Sequence, residues 1–401
     1  MNSSSEASAR AARNVWLLAA CQAMLLANNS TLIAINGLVG LALAPHASLA
    51  TLPVTCWVLG GAAATLPASF HMKRVGRRRG LSMGTLWGFV GALVCAVALG
   101  LQSFWLLCAG TFVYGVFNAY GQYYRFAAAD TAEPQFKATA ISLVLAGGLV
   151  GGILGPNSSR FTVELFEPRF LGAYLGLLVF VAVTSVLLRY VQIPAPTAAE
   201  RASHGRPLAQ IAAQPKFIVA VLAGALSYGV MNFLMTSTPI AMQVCGHSYG
   251  AAAFVISSHV LGMFGPSFVT GHLIKRFGTL PIMFLGAALN AATVAIAVSG
   301  DSVTHFWWAL VLLGVGWNFL YTGATLLLTE TYRPEEKAKA QGANDQVQFI
   351  MMLISSLTSG MTVTQAGWER VNLLALPLIV VIVIALAWFV VHSRAQKEAA
   401  V

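Results

Sequence analysis

The sequence predicts an all-α membrane protein of twelve transmembrane helices, built as two pseudo-symmetric six-helix bundles. Three observations predict it. The 401 residues are 57% hydrophobic and only 9% charged, with a mean hydropathy of +0.74. A soluble domain carries about 25% charged residues, so most of this surface must face lipid. Apolar runs long enough to cross roughly 30 Å of hydrocarbon as helix recur along the chain, and two short loop motifs from the first half return in the second. This composition excludes a soluble enzyme, a secreted disulfide scaffold and a nucleic-acid binder.

The spans fall at approximately 14–42, 49–71, 80–101, 104–128, 137–157 and 169–190, then 216–243, 249–274, 279–299, 304–329, 338–365 and 369–392. The first follows a polar stretch holding Arg10 and Arg13. It is too long for a signal-peptide core and no small-residue cleavage site follows it, so it is a retained span. The loops set the orientation. With both termini cytoplasmic, twenty Lys and Arg residues lie inside, among them Lys73, Arg74, Arg77, Arg78 and Arg79, against three outside: Arg160, Arg169 and Arg370. The positive-inside rule then reads the formal charge of +10 as a cytoplasmic rim.

Between spans six and seven the run 193–215 is the longest polar stretch, and it separates an N-terminal bundle, 1–192, from a C-terminal one, 216–401. Asp130-Thr131-Ala132-Glu133-Pro134, followed by Lys137-Ala138, matches Glu330-Thr331-Tyr332-Arg333-Pro334, followed by Lys337-Ala338. Lys73-Arg74-Val75-Gly76 likewise matches Lys275-Arg276-Phe277-Gly278. Two coincidences at nearly one period indicate a duplicated six-helix unit. The loops, the linker and the six-plus-six spans resemble the major facilitator superfamily over the whole chain. Lys73 and Lys275 stand where that family's usual loop motif has an acidic residue, while Arg74-Val75-Gly76-Arg77-Arg78 keeps the basic half. The resemblance implies that spans 1, 4, 7 and 10 line a cavity. These carry Asn28, Asn29, Asn36, Asn118, Gln122, Asn232, Ser237, Asn318 and Thr322, polar groups too costly to present to lipid. Spans six and twelve are almost wholly aliphatic and aromatic, as lipid-facing helices should be.

Soft donor atoms mark one candidate site. Met231 and Met235 sit four apart on one face of span seven, and His259 and Met263 do the same on span eight. At about 1.5 Å per residue all four reach mid-membrane depth. Three thioethers and an imidazole suit Cu(I) far better than hard cations, although Met is also a common filler of apolar cores. The paired Met-x-x-x-Met and His-x-x-x-Met motifs resemble those of the CcoA-like transporters. These are bacterial major facilitator proteins that include copper importers supplying cytochrome oxidase of the cbb3 type, together with related riboflavin importers. The resemblance implies copper import across the bacterial cytoplasmic membrane, with Met231, Met235, His259 and Met263 as copper-handling residues and copper chaperones as partners. Copper is then the transported substrate, and no cofactor is expected. Met242, Cys245 and His247, at the outer end of span seven, form a smaller soft cluster that reads either as a relay stripping Cu(I) from its carrier or as an ordinary helix end.

Acids within the spans are few. Asp345 lies deepest, in span eleven, while Asp130 and Glu330 end spans four and ten, with Arg125 shortly before Asp130. These four residues read as a coupling or gating network, or as ion pairs that lock one state. Tyr114, Tyr120, Tyr123 and Tyr124 on span four and Trp317, Phe319 and Tyr321 on span ten suit stacking on a planar ring, and this supports import of an organic compound such as riboflavin instead. A copper receptor that does not transport shares every ligand. No phosphate-cradling Gly-Lys-Ser/Thr loop is present, so ATP is not expected to drive transport, and no enzyme is expected. Gly147, Gly148, Gly151, Gly152 and Gly155 on span five allow another helix to approach closely.

Overall fold

Span one starts well upstream of its apolar run, as a helix from Asn2 to Leu43. The stretch Ser5-Glu6-Ala7-Ser8-Ala9-Arg10-Ala11-Ala12 contains no Gly or Pro to stop it and is rich in the strongest helix former. The computed structural model describes residues 2–46, 49–195, 197 and 205–398, with backbone alone at 2–9, 34, 249, 360, 361, 364 and 394–398. The expected linker therefore lies partly outside the described residues, at 196 and 198–204.

The other spans form close to where the apolar runs place them. They are Leu52–Val75, Arg77–Gly100, Phe104–Gly121 continued by Tyr124–Thr131, Lys137–Thr162 and Leu171–Tyr190. Beyond the linker come Pro215–Val244, Tyr249–Phe264 continued by Ser267–Phe277, Thr279–Ser299 and Val303–Thr329. Spans eleven and twelve run together as Lys337–Glu398, broken only at Gly367, whose φ is 78°. Side-chain oxygens of Ser103, Ser248 and Ser302 cap the starts of spans four, eight and ten by accepting from Leu106, Ala251 and His305 amides. Among the described residues, eleven helices are long and apolar enough to cross a membrane. Span eleven is the more polar exception, with Lys337, Lys339, Asn344, Asp345, Gln346 and Gln348 crowded into its first part.

The duplication is visible in the backbone. Gly76 turns the chain from span two into span three at φ 91° and ψ 155°, and Gly278 turns it from eight into nine at φ 90° and ψ 161°. A side chain at that positive φ would be strained, which is why both copies of the loop carry glycine. The second matched motif forms a 3₁₀ turn in each half, Pro134–Phe136 and Pro334–Glu336.

The chain divides into two compact units, one comprising Met1–His204 with Lys337–Phe349 and the other Gly205–Glu336 with Ile350–Val401. In the first, Gly147, Gly151 and Gly155 of span five lie directly against the carbonyls of Ala19, Ala23 and Ala27 of span one. Spans two and four meet the same way, Gly60 on the Phe112 carbonyl and Gly115 on that of Trp57. The second unit repeats this contact where spans eight and ten cross: Gly262 meets the Val311 carbonyl, and Gly314 meets the backbone of His259 and Met263. Lys337–Phe349 is built into the first unit: the Ser69 hydroxyl donates to the Ala338 carbonyl at 2.9 Å, Arg77 donates to Gln341, and the Phe349 ring lies on Gly61. Val179, Val183 and Val186 on span six and Val380, Ile384 and Val391 on span twelve are exposed, as lipid-facing side chains must be. Asn28, Asn29, Asn36, Asn118, Ser237, Asn318 and Thr322 are all buried, on the helices expected to line a cavity.

Candidate substrate site

Spans seven, eight and ten of the second unit bring four aromatic rings together. Trp317 and Tyr321, one turn apart on span ten, stack with centroids 4.8 Å apart and planes 16° from parallel. Tyr228 of span seven meets both edge-on at 5.8 Å, and Phe264 of span eight meets Trp317 at 5.9 Å. Trp317, Tyr321 and Phe264 are buried and Tyr228 is half-buried. Rings set stacked and edge-to-face in this way gain quadrupolar attraction beyond their burial. The same helices carry polar atoms to spare. Among the described residues, the indole N–H of Trp317 and the hydroxyl of Thr322 are buried without a protein partner.

His259 and Met263 lie along the seam between spans eight and ten. The His259 Nδ1 is 2.7 Å from the Leu310 carbonyl. A carbonyl only accepts, so Nδ1 carries the proton and donates it. The other ring nitrogen, Nε2, is buried with no protein partner among the described residues. One turn further on, Asn318 donates to the Met263 carbonyl at 2.7 Å and to the Ser267 hydroxyl, and accepts from Thr270 at 2.7 Å. Met231 is buried one turn from Tyr228. Met235 instead packs on the apolar cluster of Val230, Leu234, Val255, Phe306 and Leu310. Met242 is a fully buried member of that same cluster, whereas Cys245 is exposed. His247 sits 2.6 Å from the Asp301 carbonyl and edge-on to Phe306. Partial burial, with the nearby Asp301 carboxylate adding to it, raises the pKa of the Cys245 thiol above its ordinary value. No group of three or more His, Cys, Asp and Glu side chains among the described residues is placed to hold a metal.

The charged residues pair off within each unit. Arg125 reaches Asp345 at 2.6 Å, both side chains almost wholly buried, and also donates to Gln122 and lies over Phe126. Asn344 donates to the same Asp345 oxygen at 2.8 Å. Asp130 is held by Arg77 at 3.3 Å and Lys337 at 2.9 Å, and its counterpart Glu330 by Lys216 at 2.8 Å. Arg125 thus engages the acid of span eleven rather than the nearby Asp130. Of the span-four tyrosines, Tyr114, Tyr123 and Tyr124 are fully buried, and the Tyr120 hydroxyl meets His71 Nδ1 at 2.9 Å.

The Major Facilitator Superfamily pattern matches residues 16–356 and 267–400. The chain belongs to that superfamily. It is a multi-pass membrane transporter with the superfamily's all-helical fold. It is 41% identical over 392 residues, 97% of this chain and 98% of the relative, to the riboflavin transporter RfnT of Brucella anthropi. It is 30% identical to the uncharacterized MFS-type transporter YddS of Bacillus subtilis (strain 168), over 88% of this chain and 84% of that one. The structure of the proton:xylose symporter XylE superposes with a TM-score of 0.79 at 13% identity, covering 94% and 95% of the two chains, and at that identity it speaks for the fold alone.

Tyr228 and His71 gain their partners only in the structure. Tyr228 stands three residues before Met231, so helical spacing already put it on the face that was singled out. His71 carried no such signal.

Proposed function

We propose that this superfamily member imports riboflavin, or a planar heteroaromatic compound like it, across the bacterial cytoplasmic membrane by alternating access. The observation that carries the reading is the near full-length, 41% identity to a relative described as a riboflavin transporter. The Tyr228, Phe264, Trp317 and Tyr321 cluster supports it, because a flat ring system is recognised by aromatic faces with a few fixed polar groups at its rim. The unpartnered Trp317 N–H, Thr322 hydroxyl and His259 Nε2 are donors and acceptors of the kind that the carbonyls and imide N–H of an isoalloxazine require.

A second reading, copper import, keeps one observation. A metal-ligating histidine characteristically donates its other ring N–H to a carbonyl, as His259 does to Leu310. Against it, Met235 faces an apolar cluster, and the relative with high identity is described as carrying riboflavin.

Uptake of radiolabelled riboflavin and of radiolabelled copper, measured in cells expressing the wild type, Trp317→Ala or His259→Ala, separates the two. Base-on-aromatic stacking is worth about 1–3 kcal/mol per ring, so Trp317→Ala should reduce riboflavin uptake roughly 5- to 150-fold. Copper uptake that requires His259, with riboflavin uptake absent, would overturn the proposal.

A further inference from the structure

Span three enters the membrane through Arg77, Arg78 and Arg79, with two residues separating them from Lys73 and Arg74. These cations have different surroundings. Arg77 is committed to Asp130 and Gln341 and lies over the Tyr123 ring. Arg78 and Arg79 have no carboxylate partner among the described residues, and Arg78 donates instead to the Arg189 carbonyl, at 2.7 Å, near the end of span six. Arg78 and Arg79 line a shallow, open cavity along one face of span three, together with Ser82, Met83 and Leu86. The cavity lies on the outer face of span three. Leu86, Val90, Leu93 and Val97 continue that face as exposed apolar side chains toward the far end of the helix. Span six flanks it, held to span three by the Thr85–Ser185 hydroxyl contact at 2.9 Å, and contributes the exposed Arg189 and Tyr190.

From this arrangement we infer a binding site for an anionic phospholipid, independent of the transported substrate. Leu86 is eight residues beyond Arg78, about 12 Å deeper at 1.5 Å per residue. The guanidinium groups therefore stand at headgroup level while the apolar wall runs on at acyl-chain depth. Two arginines offer a phosphodiester both charge and directed donors, while the Ser82 hydroxyl is spent on the Arg78 carbonyl at 3.0 Å, and Arg suits the fork geometry of phosphate oxygens. Basic pockets beside transmembrane helices hold anionic headgroups on these terms. Inorganic phosphate shares the charge chemistry, but the exposed apolar wall below the arginines favours a ligand with acyl chains.

The test uses the purified full chain in neutral detergent, with phosphatidylglycerol, phosphatidylcholine or inorganic phosphate added. Retained lipid is read by native mass spectrometry and stability by thermal unfolding. Phosphatidylglycerol should bind and raise the unfolding temperature more than phosphatidylcholine, and phosphate should do neither. At about 1 kcal/mol per basic residue near the surface, Arg78→Gln with Arg79→Gln should weaken phosphatidylglycerol binding about 30-fold. Arg78→Lys with Arg79→Lys, which keeps the charge but not the fork geometry and checks the fold, should bind between the wild type and the glutamine variant. Equal phosphatidylglycerol binding by the wild type and the glutamine variant, or protection reproduced by phosphate alone, would overturn the site.

Discussion

At Arg125 and Asp345 a guanidinium and a carboxylate meet at 2.6 Å with side chains only 3% and 2% exposed. Taking two charges out of water costs several kcal/mol per ion, and the pair survives because Gln122 and Asn344 also bond to it. Asp345→Ala strands a buried guanidinium, so thermal unfolding of the purified protein should register a loss of about 3–5 kcal/mol. Asp345→Asn, which keeps an acceptor oxygen, should lose less. The sequence placed both residues in one candidate set of coupling groups or ion pairs but did not say which acid Arg125 meets, since 220 positions separate it from Asp345 and only the fold brings them together. The candidate substrate site was legible to a similar degree. His259, Met263, Trp317 and Tyr321 were picked out because polar, sulfur and aromatic side chains are conspicuous in a lipid-facing chain. That His259 turns to the Leu310 carbonyl, and that Met235 faces an apolar cluster, depends on helix rotation, which a four-residue spacing does not determine.

Among the elements, span five shows most directly how a pattern becomes a contact. The Gly-x-x-x-Gly spacing predicted close approach, and Gly147, Gly151 and Gly155 deliver it against three successive turns of span one. Gly151→Leu would drive a side chain into the Ala23 carbonyl and should cost at least about 1–3 kcal/mol, seen as lost folded yield by size-exclusion chromatography. Gly37→Ala, where nothing lies within 4 Å, is the control and should leave the yield unchanged or improved. The short 3₁₀ turn before span eleven yields a pH prediction. Arg206 donates to both oxygens of Glu336, at 2.8 and 2.6 Å, and the amides of Arg206 and Arg333 also donate to this carboxylate. These bonds, the Arg206 guanidinium first, hold the Glu336 pKa down to about 2 from the ordinary 4.5. The clamp therefore contributes fully above about pH 4.5 and is lost as pH falls toward 2. Hydrogen exchange at the Arg206 amide, corrected for intrinsic rate, should stay protected from pH 7 to 5 and open below about 4. Glu336→Gln should abolish that dependence.

For the molecule as a whole, the duplication shared its scaffold more faithfully than its chemistry. Gly76 and Gly278 keep one backbone conformation in both halves, and Asn118 and Asn318 are both buried and hydrogen-bonded. At the positions 200 residues before Trp317 and Tyr321, however, the first half has Phe117 and Gly121, so the aromatic stack belongs to one half only. A Trp317→Phe, Tyr321→Gly variant, which gives the second half the first half's residues, should fold but lose saturable riboflavin uptake. Uptake kinetics would check this, beside an unfolding transition that stays cooperative though lowered by the loss of a buried ring.

The composition of the first unit also sets a clock on biosynthesis. Its last long stretch ends near His204, yet the unit is completed by Lys337–Phe349, whose final residue is made 145 positions later. At about 5–20 residues per second the ribosome needs roughly 7–30 s to cover that distance. Through that interval the Ser69 hydroxyl, Asp130 and Arg125 wait without the span-eleven partners that later satisfy them, so these groups must stay hydrated or make do with other partners until span eleven arrives.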